Sequence, residues 1–473
     1  MLWISVDRDS KIPIIRQIYE QLRSKILKGD LHPGEKLPST REMASNINVS
    51  RNVILQAYEQ LTAEGYVESR EGSGTYVAEG ACYKEFNKIS ANFDIHDSKY
   101  SSSGSTVIDF RSGLPALDIF PKKKWGQLLY DACINAPCNS LGYGNPAGCI
   151  ELRQAIAHYL QKTRGIHCHP DQIIITTGAV QALQLVTKLL LSSGMKVVVE
   201  DPSNYDLQRI LTSTGAELYP VPVDEYGINT RLLPAGKDIG VVYVTPSHQF
   251  PIGGILPVQR RIELVKYAGN TGCYIIEDDY DSEFRYEGAP VSSLQELEPE
   301  RVIYIGTFSK ILFPALRIGY IVLPGTLAGK CRRIKRHSDF QTPYLEQLVL
   351  AGFIEKGYLE RHISKMKKVY VKRRKKLIEC LDKYFPGNYK ICGKAAGLHL
   401  VADFTFKPSR GFYSNLKDKG VRIYPVEIHS AIKDRSKSKF ILGYGNLSED
   451  QIEEGVRRIK EALILSLPFS YLG

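Results

Sequence analysis

The stretch Val302-Ile303-Tyr304-Ile305-Gly306-Thr307-Phe308-Ser309-Lys310 constrains this chain more than any other. Four apolar residues without polar alternation predict a strand covered on both faces, as in a parallel sheet flanked by helices. Beyond it the chain breaks into hydroxyls and one lysine, and Arg317 follows seven positions later. A lysine held at the carboxyl end of a buried strand loses hydration. Its pKa falls, and the neutral amine is able to form a Schiff base. Thr307, Ser309 and Arg317 would supply phosphate donors beside it.

The same grammar recurs upstream. Runs at 173–176, 197–199, 218–221, 241–244 and 274–276 alternate with helical stretches such as 178–192 and 259–269. This predicts an α/β unit from about residue 107, with a mostly parallel sheet whose ligands bind beyond the carboxyl ends of the strands. The polar residues gather at those ends. Gly178, Ala179 and Val180 open a helix whose free amides suit a phosphate. Tyr205 offers an aromatic face for stacking. Asp278, with Tyr280 close by, could hold a ring nitrogen protonated. The run Asp278, Asp279, Asp281 and Glu283 has an alternative as a hard-cation site, but no periodic oxygen ligands of a calcium loop accompany it, and no metal is expected. His248 is read as a polar loop residue behind the site.

Residues 11–29 predict an amphipathic helix on Ile14, Ile18, Leu22 and Ile26. A second begins at Ser39, where Ser39-Thr40-Arg41-Glu42 fits a capping box, and a third at Ser50. Segments 66–70 and 75–77 around Gly72-Ser73-Gly74 then predict a hairpin. Three helices and a hairpin make a winged helix-turn-helix over 1–79, with the third helix in the major groove and the wing on the backbone. Ser50, Arg51 and Asn52 would face bases; Ser39, Thr40 and Arg41 would face phosphates, with Gly74 and Thr75 on the wing. Residues 80–106, rich in Ser, Asn, Asp and Gly, predict a flexible linker.

Charge sharpens the division. The chain has 62 basic and 51 acidic side chains, net +11; residues 1–80 hold ten and eleven, net −1, leaving +12 for 81–473. A DNA-binding head here would place a few cations on one face while the larger domain adds positive field. Cations crowd 330–376, among them Lys330, Arg332, Arg333, Lys335, Arg336, Lys365, Lys367, Lys368, Lys372, Arg373, Arg374, Lys375 and Lys376. They read as solvated helix faces, with a second DNA-contacting surface as the alternative. Nine scattered cysteines without metal spacing read as free, mostly buried thiols. With no basic leader and no long apolar run, a cytoplasmic chain without a membrane span is expected.

The order of Leu37-Pro38-Ser39-Thr40-Arg41-Glu42, Val49-Ser50-Arg51-Asn52, Glu64-Gly65-Tyr66-Val67 and Gly72-Ser73-Gly74-Thr75-Tyr76-Val77 resembles the GntR family of bacterial regulators. From 107 to about 470 the chain resembles fold type I pyridoxal-phosphate aminotransferases, with a smaller C-terminal α/β subdomain over about 331–473. Phe110-Arg111-Ser112-Gly113-Leu114-Pro115, Leu141-Gly142-Tyr143-Gly144-Asn145-Pro146-Ala147-Gly148 and Gly420-Val421-Arg422-Ile423-Tyr424-Pro425 match as well. Together the two parts resemble the MocR/GabR family of transcriptional regulators.

By that resemblance pyridoxal 5'-phosphate would form an internal aldimine with Lys310, Asp278 would pair with the pyridine nitrogen, and Tyr280 would bond the ring hydroxyl. The Ala179 and Val180 amides with Thr307, Ser309 and Arg317 would hold the phosphate, and Tyr205 would stack on the ring. Double-stranded operator DNA, an amine or amino-acid effector and a domain-swapped homodimer are the implied partners. Two departures concern the effector. Ile441 stands where aminotransferases place a carboxylate-clamping arginine, and Leu207 where a GABA-responsive relative has another; Arg209, Arg422 or Arg435 are the substitutes at hand. Phe250 replaces an asparagine common in aminotransferases. The expectation is a sensor regulator. A working aminotransferase with a DNA-binding head is the first alternative, and a DNA-binding dimer without its cofactor the second.

Overall fold

A computed structural model describes residues 4–83, 107–288, 291–393, 396–432 and 436–466. The chain falls into two compact units, Met1–Ser103 and Gly104–Gly473. From residue 84 onward the expected linker lies outside the described residues.

The first unit holds helices α1 (Ile14–Lys28), α2 (Thr40–Asn46) and α3 (Arg51–Ala63), then strands β1 (Val67–Arg70) and β2 (Gly74–Val77). Buried Ile18, Tyr19, Leu22 and Ile26 recur at helical spacing on α1, which stops at Gly29 in the left-handed region. The capping box forms: Ser39 Oγ accepts from the Glu42 amide, and Glu42 accepts from the Ser39 amide. Ser50 is the residue before α3, with no side-chain capping bond. Leu22, Ile54, Leu61, Val67 and Val77 meet in one core, each buried side chain of this kind contributing about 1.5–3 kcal/mol.

The second unit opens with β3 (Ile108–Asp109), α4 (Lys122–Asn135) and α5 (Ile150–Arg164). There follow β4 (Ile173–Thr176), α6 (Ala179–Leu190), β5 (Lys196–Asp201), α7 (Tyr205–Leu211), β6 (Glu217–Asp224), β7 (Gly227–Ile228) and β8 (Ile239–Val244). After these come α8 (Val258–Thr271), β9 (Tyr274–Asp279), α9 (Leu294–Leu297), β10 (Val302–Thr307) and β11 (Gly319–Val322). Eight strands form one sheet in the order β4-β11-β10-β9-β8-β5-β6-β7. Pairing is parallel from β10 through β6. β11, which the sequence reading passed over, runs antiparallel between β10 and β4. One face packs Val199, Val241, Ile276 and Ile305 against α6 and a later helix; the other packs Val198, Val242 and Ile275 against Leu264 and Ala268 of α8. Coverage on both faces is the physical reason for the unbroken β-branched runs.

The rest comprises α10 (Gly325–Asp339), α11 (Tyr344–Glu355), α12 (Tyr358–Tyr384), β12 (Tyr389–Cys392), β13 (His399–Phe404), α13 (Arg410–Asp418), β14 (Val421–Arg422), β15 (Tyr424–Pro425), β16 (Lys439–Gly443) and α14 (Glu449–Ile464). A four-stranded sheet, β12-β13-β16-β15, packs Phe440 and Leu442 against Tyr370 of α12, Phe412 of α13 and Val456 of α14. The subdomain edge expected near 331 falls inside α10, whose Leu327, Ala328 and Cys331 pack with the large sheet. β3 pairs with β14, so the first strand of the unit joins its last layer.

All nine cysteines are free, and the expectation of mostly buried thiols needs correcting: Cys149, Cys273, Cys331 and Cys380 are buried, whereas Cys133 and Cys138 are exposed. Among the described residues no helix is long and apolar enough to cross a membrane.

Candidate functional site

The carboxyl ends of β8, β9 and β10 converge on a cavity of about 260 Å³ lined by Ala179, Val180, Asp278, Tyr280, Thr307, Ser309, Lys310 and Arg317. These residues come from four separate stretches. Strand alternation explains the selection on β9: Asp278 shares a side with Ile276, towards α6, while Asp279 turns to the opposite side. There the Arg164 guanidinium pairs with Asp279 at 2.8 Å, and Tyr304 donates to it at 2.6 Å. Glu283 accepts from Tyr159, and Asp281 pairs with His248. The acidic run is thus divided among different partners.

Asp278 is the electrostatic pole of the cavity. Oδ2 accepts from the Tyr243 hydroxyl at 2.6 Å, whereas buried Oδ1 has no hydrogen-bond partner. Burial raises its pKa to about 6 against the Tyr243 hydrogen bond, which lowers it. Burial also lowers the Lys310 pKa; Asp281 and Asp278 oppose this, and Arg111 and Arg317 reinforce it. Lys310 lies so close to Gly113 that a Cβ there would stand 2.7 Å from Nζ.

Backbone geometry makes the opposite pole. Gly178 has φ of 102° ahead of α6, and a Cβ on it would stand 2.9 Å from an Arg317 guanidinium nitrogen. Arg317 itself is left-handed, φ 51°, which turns the chain from Lys310 into β11. Thr307 Oγ1 donates to Ser309 Oγ and accepts from the Ser309 amide, both at 3.2 Å. A helix N-terminus, two hydroxyls and a guanidinium therefore share one side of the cavity, a donor set that matches an oxyanion.

Tyr205 stands apart from this set. It is 45% exposed at the start of α7, with the Arg209 guanidinium 5.9 Å from its ring centroid, and its neighbours Asn204 and Leu207 line the cavity instead. Tyr280 donates to the His248 carbonyl at 3.0 Å, and its oxygen lies 3.0 Å from His248 Nδ1, which also meets Asp281. His248 is therefore buried directly behind the site. Ser112, Gly113, Tyr243, Thr245 and His399 also line it or press on it and were not singled out from sequence. Ser112 and Gly113 carried a signal through the matching 110–115 segment, and Tyr243 through its place in the 241–244 run. Ile441 is buried among Val401, Val426 and Ile252 in an apolar cluster. Arg422 faces Asp109 at 3.6 Å, and Arg435 lies outside the described residues.

In the first unit, Ser39, Arg41, Ser50, Arg51, Asn52 and Gly74 are exposed, and Thr40 and Thr75 are half-buried. Arg51 donates to Thr40 Oγ1 at 3.3 Å, which brings the starts of α2 and α3 together. A Cβ on Gly74, φ 120°, would stand 2.9 Å from Lys36 Cε, so the wing is drawn against the segment before α2.

Two family models match: bacterial regulatory proteins of the gntR family over residues 14–77, and aminotransferase class I and II over 105–459. The probable rhizopine catabolism regulatory protein MocR of Rhizobium meliloti is 34% identical, covering 97% of this chain and 95% of that protein. The HTH-type pyridoxine biosynthesis transcriptional regulator PdxR of Corynebacterium glutamicum is 30% identical over 98% of both chains. A crystal structure of Pyrococcus horikoshii kynurenine aminotransferase in complex with PMP superposes with a TM-score of 0.71 at 30% identity, covering 77% of this chain and 92% of that one. With a GntR-type DNA-binding head followed by a class I and II aminotransferase domain, the chain belongs to the MocR/GabR family of transcriptional regulators.

Proposed function

We propose that this regulator binds operator DNA through its 1–79 head and senses pyridoxal phosphate, alone or with an amine or amino acid, through Lys310. The observation that carries the reading is the unpartnered Asp278 Oδ1, buried in the same cavity as Lys310. An orphaned buried carboxylate oxygen costs free energy that a ring N–H would recover. The Gly178 cradle against Arg317 fits a phosphate in the same way, because any Cβ would fill it.

Lys310 would hold the cofactor covalently and Asp278 would keep its ring nitrogen protonated. The Ala179 and Val180 amides, Thr307, Ser309 and Arg317 would hold the phosphate. Tyr280 would bond the ring hydroxyl, and Tyr205 would turn in to stack on the ring. Bound there, pyridoxal phosphate supplies an aldehyde that condenses with primary amines and a ring that withdraws electrons. Burial favours the neutral Lys310 amine, the form that attacks an aldehyde.

Sensing rather than sustained turnover is favoured by the two apolar replacements. Leu207 lines the cavity and Ile441 is buried, so neither clamps a carboxylate; a bidentate charged pair of that kind contributes about 1.5–3 kcal/mol. Signalling would proceed by population shift, with the liganded body favouring one arrangement of a homodimer and so one spacing of two heads. The exposed apolar side chains Tyr130, Ile134, Leu141 and Tyr143 support association with a second copy; a domain-swapped arrangement would follow from the family resemblance. Acting on operator DNA, the protein would work in the cytoplasm.

The test is the visible spectrum of the purified chain with pyridoxal phosphate, followed as amines, D- and L-amino acids and small peptides are added, with keto acids assayed in the same tubes. A cofactor band that shifts with one ligand without repeated turnover supports the sensor. Sustained keto-acid production makes the protein a working aminotransferase, and absence of any band defeats the cofactor reading.

A further inference from the structure

The run of cations over 330–376 does not form one surface. Lys335 is buried and paired with Asp339 at 2.7 Å; Arg373 is buried and donates to the Gly445 carbonyl. Lys376 pairs with Glu453, and Arg374 with Glu287. Lys330, Arg333 and Arg336 are exposed on α10, separate in sequence from the rest.

On α12 the remainder sort by helical period. The inner side is Leu359, His362, Met366, Tyr370, Arg373 and Leu377. Exposed on the outer side are Arg361, Lys365, Lys368, Lys372 and Lys375, at steps of four, three, four and three. No acidic residue occurs from 361 to 378. Among the described residues Lys365, Lys368 and Lys372 make no ion pair; Lys375 has Glu379 at 3.6 Å. Like charges at such spacing repel one another. The stripe therefore carries an electrostatic cost that a polyanion would relieve.

The stripe continues onto α4. Lys122, Lys123 and Lys124 are exposed at the start of that helix and border, with Arg361 and Lys365, a hollow of about 540 Å³. Its only acid, Asp118, faces Arg373 at 3.5 Å. Lys124 and Arg361 both lie over the Tyr358 ring, at 5.9 and 4.8 Å from its centroid.

We propose that the outer face of α12, with the Lys122–Lys124 end of α4, is a second docking surface for duplex DNA, gripping phosphates apart from the bases read by the head. This rests on the DNA-binding reading above. From Arg361 to Lys375 the stripe is about 21 Å long at 1.5 Å per residue, the axial rise of about six phosphates on one strand. A single row of cations matches a backbone. Val371 is the one large apolar side chain exposed along it, too little for a membrane face. The need is visible too: residues 1–80 carry net −1, so the head brings no surplus charge to a polyanion.

The test uses the full chain and a duplex that the wild-type protein selects from a random-sequence pool, with affinity measured by anisotropy across a salt series. Replacing Lys365, Lys368 and Lys372 by Gln should reduce the slope of log affinity against log salt by about 2.7, at about 0.9 per phosphate contact. Lys372→Gln alone should reduce it by about 0.9. Lys330→Gln with Arg333→Gln and Arg336→Gln, on α10, should leave it unchanged. His362 on the inner side of α12 lies 3.0 Å from the Ile311 carbonyl, beside Lys310, so an unaltered cofactor spectrum reports an intact helix. An unchanged slope in the triple α12 variant overturns the proposal and leaves the regulator reading standing. Equal losses in both sets overturn it in favour of a diffuse field. Lysine-dependent binding to phosphatidylserine vesicles, with the DNA slope unchanged, gives the face to a membrane surface instead. Failure of the wild type to select any duplex defeats the DNA-binding reading itself.

Discussion

Asp278→Asn should flatten the loss of stability between pH 4 and pH 7 while weakening cofactor affinity. The Asp278 carboxyl is fully buried, with one oxygen bonded to Tyr243 and the other unpartnered. Its pKa rises from 3.8 to about 6 on folding. The sign follows directly: folding favours the neutral acid, so the contribution is fully present below the unfolded pKa and lost as pH rises through the folded one. A rise of about two pH units at 1.36 kcal/mol each is about 3 kcal/mol. Between pH 4 and pH 7 the cofactor-free wild type should therefore lose up to about 3 kcal/mol relative to the Asn variant. The new amide, left without an acceptor, takes back about 1–3 kcal/mol of absolute stability at every pH, but it does not alter the pH dependence. Glu277 and Glu283, each raised to about 7 by burial, slope the same way in both proteins and cancel in the difference, whereas Glu200, raised to about 7 by burial with the Asp278 charge as the smallest contributor, moves slightly towards its ordinary value in the variant. Denaturant unfolding of the cofactor-free proteins, followed by emission of buried Trp125, gives that difference. In the same variant, loss of a charged hydrogen bond to the ring should weaken pyridoxal phosphate by about 10- to 150-fold. Parallel stability curves from pH 4 to pH 7, or unchanged cofactor affinity, would refute the reasoning.

Arg317→Ala should weaken pyridoxal phosphate by about 10- to 150-fold while leaving affinity for unphosphorylated pyridoxal unchanged, a contrast read by titrating both. Ser39→Ala removes the hydroxyl half of the capping box on α2, leaving the backbone amide that donates to Glu42, and should destabilise the head by about 1 kcal/mol, measured by amide exchange of α2 and α3. Arg51→Ala, on the exposed start of α3, should cost about 1–3 kcal/mol on the selected duplex and broaden preference at one base position, as seen by repeating the selection.

The sheet was legible because strands covered on both faces must be apolar on both faces; every run from 173–176 to 302–305 is a strand. Lys310 was legible for the same reason, since a lone amine directly after such a strand has to sit at its mouth. What was not legible depends on chain segments meeting from far apart. Nothing local marks His399, on β13, as a wall of a cavity built on β8 to β10. Tyr205 shows the limit of a motif: a small turn of α7 puts Asn204 and Leu207 at the cavity and its own ring in solvent. The acidic run 278–283 and the basic run 330–376 mislead in a common way. Charge adjacent in sequence is parted by strand alternation in the first and by helical period and buried ion pairs in the second. β11 escaped notice because its antiparallel pairing depends on the left-handed turn at Arg317.

The most direct measurement is operator affinity of the full chain and of Lys310→Ala, each with and without pyridoxal phosphate and then with the amine that shifts the spectrum. The account predicts equal basal affinity in the two proteins, and a ligand-dependent change in affinity or footprint in the wild type alone. The same response in both would contradict sensing through Lys310.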